Sequence, residues 1–249
     1  MFIPLKKFGQ NFLQNKDILK RIVESADINE NDTILEIGPG LGDLTKQLLN
    51  KTHNVIAIEK DKRLINKLSN LNIKLINQDV LDYKIDLKHY KVIANLPYYI
   101  TLPIIRKFIE SKNPPKLMIL LIQKEVAEKI CSNKSSLPKL AIQFFAKTEI
   151  LFNVSKREFK PMPKVDGSVI KIYDIQKNIP NINIESFFKT IKLGFQFKRK
   201  TLLNNLSTKF DKHKIESILN KLNIPLNTRS EDVDLNLWIS IVEQLNLMV

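Results

Sequence analysis

Three of the chain's six glycines fall within five positions, in Gly38-Pro39-Gly40-Leu41-Gly42, and this cluster constrains the fold more than any other feature. The apolar run Thr33–Ile37 ahead of it has strand length, and a helical pattern begins at Asp43. A strand that ends in a tight glycine turn and reverses into a helix is the ligand-binding corner of an open α/β sheet. Short apolar runs recur at residues 55–58, 73–76, 92–94 and 117–122. Helical patterns separate most of them, which predicts βαβ units around a parallel sheet. Two further strand-like runs, 149–154 and 168–173, flank a loop over 155–167.

The pattern changes near residue 174. Residues 174–184 are broken by Asn and Pro and read as a linker. Beyond them only helical spacing remains: Phe187, Phe188, Ile191 and Phe195, then Leu202, Leu203 and Leu206, then Ile215, Ile218, Leu219 and Leu222. The expectation is an α/β domain over 1–178 and a small all-helical domain over 179–249. Phe144, Phe145 and Trp238 lie in apolar-periodic segments and are expected in the core. A single cysteine, Cys131, excludes a disulfide framework or thiolate metal cluster. His53, His89 and His213 lack any metal-ligand spacing, so no metal is expected. The longest apolar run, 117–122, is too short to span a bilayer, and no secretory h-region precedes the first helical pattern. A cytoplasmic protein without a membrane partner is the expectation.

The turn itself selects among cofactors. The dinucleotide fingerprint G-x-G-x-x-G requires glycine at 43, where Asp43 stands. Glycine falls at 42 instead, and Glu36 precedes Gly38 by two positions. That E-x-G-x-G turn suits a cofactor with no pyrophosphate to cradle, approached closely at Gly38 and Gly40. Glu59, which follows the run 55–58 and has Lys60 beside it, is placed to accept from both ribose hydroxyls. Asp79, after the run 73–76, is placed to accept from an adenine amino group, with Val80 against the ring face. Carboxylates around such a turn also suit a cationic sulfonium. S-adenosyl-L-methionine fits these residues better than a nicotinamide dinucleotide.

Asn95-Leu96-Pro97-Tyr98 follows the run 92–94, again at the carboxyl edge of the expected sheet. Pro97 disfavours helix at Leu96 and makes the loop stiff and extended. Such a loop can point the Asn95 side-chain oxygen and the Leu96 carbonyl at one place, with the Tyr98 ring beside them. Two acceptors and a π face suit a planar base with an exocyclic amine. Accepting from both amine hydrogens favours a pyramidal nitrogen whose lone pair faces a methyl carbon. Catalysis then consists of orientation and electrostatics, without a strong general base.

In this order Gln10-Asn11-Phe12-Leu13, Glu36 to Gly42, Glu59, Asp79, Asn95 to Tyr98, Gln123 to Val126 and Phe159-Lys160-Pro161-Met162-Pro163-Lys164-Val165-Asp166 resemble the KsgA family of small-subunit rRNA adenine N6,N6-dimethyltransferases. The resemblance runs from Lys6 to about Asp174 and continues weakly through Arg199-Lys200-Thr201-Leu202. It implies a Rossmann-like class I S-adenosylmethionine-dependent methyltransferase sheet with a reversed last hairpin, followed by a small helical domain. It further implies dimethylation of two adjacent adenines in the 3'-terminal hairpin loop of small-subunit rRNA, within a 30S assembly intermediate, by a monomer. By the same resemblance Asn11 and Leu13 cover the cofactor, Gly38 underlies its methionine part, and Glu59 and Asp79 hold its ribose and adenine. Asn95 stands at the target amine, Tyr98 stacks on the target base, and Phe159 faces the base's other side. Gln123-Lys124-Glu125 reads as structural, opening the helix after the fifth strand. Gly167 departs from the serine usual at that position, and Phe197-Lys198 from an arginine-rich stretch.

Charge agrees with a polyanionic partner. Forty Lys and Arg against 26 Asp and Glu leave a net charge of +14 and a pI near 9.7. That surplus attracts nucleic acid in a salt-dependent way, although a Lys-, Asn- and Ile-rich composition alone also produces it. Phosphate contacts are expected from Lys6 and Lys7, from Lys156, Arg157, Lys160 and Lys164, and from Lys198, Arg199 and Lys200. Two other readings remain open at this point: a 23S rRNA adenine N6-methylase of the macrolide-resistance type, and a non-catalytic assembly or transcription factor on the same fold.

Overall fold

The computed structural model describes residues 4–5, 9–177 and 179–246. The chain divides into two compact units, residues 1–128 with 146–177 and residues 129–145 with 178–249.

In the first unit the elements run β1 (Phe12–Leu13), α1 (Lys16–Glu24), β2 (Thr33–Ile37), α2 (Asp43–Leu49), β3 (Val55–Glu59), α3 (Lys62–Leu68), β4 (Lys74–Asn77), β5 (Tyr90–Asn95), α4 (Thr101–Ile109) and β6 (Leu117–Gln123). Helix α5 (Lys124–Cys131) leaves this unit, and α6 (Leu137–Gln143) lies in the other. The chain then returns as β7 (Lys147–Val154), β8 (Phe159–Lys160) and β9 (Gly167–Tyr173). Seven strands form one sheet in the order β4-β3-β2-β5-β6-β9-β7. The first five are mutually parallel; beyond them β9 pairs antiparallel with β6, and β7 pairs antiparallel with β9 at the far edge. This is the mostly parallel α/β sheet with a reversed hairpin anticipated above.

Burial explains why these strands were readable. Ile34, Ile93, Ile119, Leu121 and Val169 cluster with Leu19, Ile22 and Val23 of α1 and with Leu44 and Leu48 of α2. The alternate residues Leu35, Val92, Met118, Leu120 and Ile170 are also fully buried and point to the opposite face. There Tyr90 meets Phe108 of α4 edge to face, with ring centroids 6.5 Å apart. A sheet covered on both faces requires continuous apolar runs rather than alternation. Helix α1 starts behind Asn15, whose side chain accepts from Asp17 and Ile18. Helix α3 starts behind Asp61, whose carboxylate accepts from the Arg63 N–H.

The second unit contains α6, α7 (Ile184–Gly194), α8 (Leu202–Leu206), α9 (Lys212–Lys221) and α10 (Leu235–Asn246). The expected single cut after residue 178 is corrected here, because residues 129–145 belong with the helices. The reason is aromatic packing: Phe144 lies 4.6 Å from Phe187, and Phe145 stacks on Phe188 at 6.2 Å. Trp238 is fully buried and stacks on Phe195 at 5.8 Å. Among the described residues no helix is long and apolar enough to cross a membrane.

Candidate active site

The carboxyl ends of β2, β3 and β5 open onto a cavity with an empty volume of about 1020 Å³, continuous with solvent. Its floor is the glycine turn after β2. Gly38 has φ +66°, and a Cβ there would meet no atom within 4 Å, so any side chain would project into free space above the turn. A Cβ at Gly40 would instead strike the ring of Phe12, which packs directly on the turn. These two positions keep the floor clear and let β1 approach it.

Glu36, Glu59 and Asp79 all line the cavity around this floor. Glu59 ends β3 and is 7% exposed. It accepts from the Asp61 N–H at 2.7 Å and the Gly40 N–H at 3.3 Å. Burial raises its pKa, while those backbone bonds pull it down. Glu36, 1% exposed in β2, is pushed up to about 8 by burial, with the Thr45 hydroxyl opposing and the Glu59 charge adding. Its Oε2 finds no hydrogen-bond partner among the described residues. Asp79 is half-buried and accepts from Lys60 Nζ at 2.7 Å and the Leu81 N–H at 2.9 Å. The ammonium beside it draws its carboxyl below the usual range. Val80, 6% exposed, lines the wall next to it.

On the opposite wall β5 delivers Asn95, whose Nδ2 donates to the Asn11 carbonyl at 3.1 Å. Leu96 is buried and donates its N–H to the Leu121 carbonyl at 3.0 Å. Pro97 is extended (φ −59°, ψ 128°), and one 3₁₀ turn follows over Tyr98–Ile100. The Tyr98 hydroxyl is buried without a hydrogen-bond partner among the described residues. Desolvation pushes it up to about 12, helped by the charge of Asp166. Asn11, Leu13, Gly38, Gly40, Glu59, Lys60, Asp79, Val80 and Asn95 to Tyr98 therefore share one cavity.

Phe159 is the exception. Its ring is 2% exposed in the apolar cluster with Leu13, Leu121 and Val169, and it does not line the cavity. Its assignment as one face of a base-binding slot is corrected accordingly. It packs in β8, which pairs with β1 (Leu13 opposite Phe159), and so supports the wall from behind. The expected phosphate contacts Arg157, Lys160 and Lys164 are exposed, and Lys156 is half-buried. Lys198, Arg199 and Lys200 are exposed in the second unit, where Lys200 Nζ sits 4.4 Å above the Phe197 ring. Lys6 and Lys7 lie outside the described residues.

Gly9 and Tyr99 are among the wall residues that sequence reasoning did not single out, and Gln10 and Phe12 entered it only as members of a motif. Tyr99 is 57% exposed, and its ring abuts Gly9. A second tyrosine directly after the Asn-Leu-Pro-Tyr run was the available signal.

A family model for ribosomal RNA adenine dimethylases matches residues 4–247. The chain belongs to that family. A relative from Fusobacterium nucleatum, named ribosomal RNA small subunit methyltransferase A, is 40% identical over 255 residues, covering 96% of each chain. Among solved structures, a dimethyladenosine transferase from Plasmodium falciparum superposes with a TM-score of 0.80 at 27% identity, covering 95% of this chain and 98% of the other. The 23S rRNA methyltransferase ErmE superposes with a TM-score of 0.76 at 25% identity, covering 95% and 100%. Membership in the dimethylase family makes the chain an S-adenosylmethionine-dependent rRNA methyltransferase on a Rossmann-like fold. The donor set fits that cofactor: a clear glycine floor, a buried acid at the end of β3, a half-buried acid after β4, and beside the turn a buried carboxyl whose Oε2 has no hydrogen-bond partner among the described residues. Among the described residues no group of His, Cys, Asp or Glu is suited to hold a metal.

Proposed function

We propose that this enzyme dimethylates N6 of two adjacent adenines in the 3'-terminal hairpin loop of 16S rRNA, acting as a monomer on a 30S assembly intermediate in the cytoplasm. S-adenosyl-L-methionine supplies an electrophilic methyl group and leaves as S-adenosyl-L-homocysteine. The observation that carries the reading is the Asn95 amide: its nitrogen is engaged by the Asn11 carbonyl, which leaves Oδ1 as an acceptor on the cavity wall. Together with the Leu96 carbonyl it would grip the two hydrogens of an exocyclic amine. Tyr98 would stack on the everted base.

Glu59 would hold the ribose hydroxyls, and Asp79 would accept from the cofactor's adenine amine through a lone pair not used by Lys60 or Leu81. Gly38 and Gly40 would give the methionine part close access to backbone, while Asn11 and Leu13 cover it. Arg157, Lys160 and Lys164, and in the second unit Lys198, Arg199 and Lys200, would meet phosphates. The small-subunit reading is favoured over a 23S methylase by 40% identity to a small-subunit enzyme against 25% to ErmE. A non-catalytic factor is disfavoured because a pure binder has no use for Glu59, Asp79, Asn95 and Tyr98 in one cavity.

Tritiated methyl incorporation into unmodified 30S particles, followed by mapping of the modified bases, tests the activity. Asn95→Ala is expected to reduce transfer to a trace detectable only at high enzyme concentration while RNA binding persists; undiminished turnover would remove its role. Glu59→Ala is expected to weaken cofactor binding by roughly 1.5–3 kcal/mol, the range for a hydrogen bond to a charged group. Calorimetry reporting unchanged affinity would contradict the ribose assignment.

A further inference from the structure

The segment before α1 is tied into the site at two points by different chemistry. Gln10 Nε2 donates to Asp61 Oδ2 at 2.8 Å, and the next residue, Asn11, offers its backbone carbonyl to Asn95 Nδ2 at 3.1 Å. Asp61 is itself immobilised. Its side chain is 3% exposed, Arg63 grips both of its oxygens at 2.9 and 2.6 Å, and it caps α3. Its backbone N–H donates to Glu59 Oε1 at 2.7 Å. The Gln10 amide is also oriented, because its Oε1 accepts from the Leu5 N–H at 2.8 Å. A continuous path therefore runs from Glu59 through Asp61, Gln10 and Asn11 to Asn95, across the cavity.

The last link has a chemical consequence. An Asn side chain can turn about its terminal torsion and present either its oxygen or its NH2 group, and the two fill nearly the same space. Only the oxygen accepts from an exocyclic amine; the NH2 group would set donor against donor. A backbone carbonyl accepts solely from the nitrogen, so the Asn11 carbonyl selects the productive orientation. That carbonyl is set by the path of residues 9–11, which extend beyond the β1–β8 pairing and are held to the sheet through Gln10.

We infer that Gln10 is a positioning residue for methyl transfer, acting through the Asn11 carbonyl to hold the Asn95 oxygen toward the target amine. The inference rests on the reading of Asn95 given above. It predicts that Gln10 matters for the rate of transfer rather than for binding the RNA.

The test measures kcat, KM for unmodified 30S particles and melting temperature at saturating S-adenosylmethionine. Gln10→Met preserves length and deletes the donor. Gln10→Glu keeps an acceptor for Leu5 but sets a carboxylate against Asp61. Both are expected to lower kcat by roughly tenfold or more with KM little changed, the signature of lost orientation. In an Asn95→Ala background, where residual transfer is followed with tritium at high enzyme concentration, Gln10→Met is expected to have no further effect. An equal loss in both backgrounds or an unchanged kcat in Gln10→Met would each overturn the inference while leaving Asn95 in place. Full turnover in Asn95→Ala itself would instead defeat the underlying reading.

Discussion

Glu36 carries a consequence that its position in the glycine-turn motif does not announce. Its carboxyl is raised to about 8 by burial, so the folded chain retains a proton that the unfolded chain releases near pH 4.5. Stability from this group is present in full below that lower value and is lost as pH rises to about 8, by up to about 1.4 kcal/mol per pH unit. Glu36→Gln is expected to flatten that decline between pH 5 and 8 in urea denaturation of the cofactor-free protein. Parallel pH profiles for the two proteins would contradict it. At this scale the sequence was most informative where a residue's role is set by its neighbours in the chain. The place of Asn95 on the cavity wall could be read because Pro97 stiffens the loop that presents it. Phe159 could not, because motif position does not report whether a ring faces a cavity or the core. Gln10 was visible as part of a motif, but its partner Asp61 is 51 positions away, and only the fold brings them together.

Helix α3 depends on its first cap. Asp61 accepts from Arg63 N, Nε and Nη2 and from Gln10, and its carboxyl is held down at about 2, chiefly by the Arg63 guanidinium. The sign is opposite to that of Glu36: this stability is present above about pH 4 and disappears as pH falls through about 2. Asp61→Ala is expected to cost roughly 1–2 kcal/mol at pH 7 for the lost cap, with the gap to wild type narrowing in strong acid. Thermal melts at pH 7 and pH 2.5 would check this, and a pH-independent gap would refute it. Elements buried on both faces were legible because residues 92–94 of β5 and 117–122 of β6 had to be apolar. The paired dipeptides β1 and β8 were not, since two residues carry no periodicity. Helix α6 carried a usable signal, with Ser136 as cap and Pro138 in the first turn, but its short apolar pattern merged with the neighbouring segments.

Across the whole molecule the surplus of 14 positive charges falls on both units. Binding to rRNA is expected to weaken steeply with salt, log K falling by about 0.7–0.9 per phosphate contact for each unit of log salt. Reversing Arg157, Lys160 and Lys164, or Lys198, Arg199 and Lys200, is expected to flatten that slope in filter-binding titrations. A slope indifferent to both sets would mean the basic residues are merely solvated. The two-part organisation was legible from the loss of strand patterns after residue 174. The path of the chain was not: residues 129–145 leave the sheet and return, and their apolar spacing says only that they are buried, not against what. Phe144 and Phe145 thus find their partners, Phe187 and Phe188, more than 40 positions downstream. A gene truncated at the apparent linker would therefore strand two phenylalanines in water and yield an insoluble product. Producing the methyltransferase half by itself calls for excising that excursion and splicing its ends, not for an earlier stop codon.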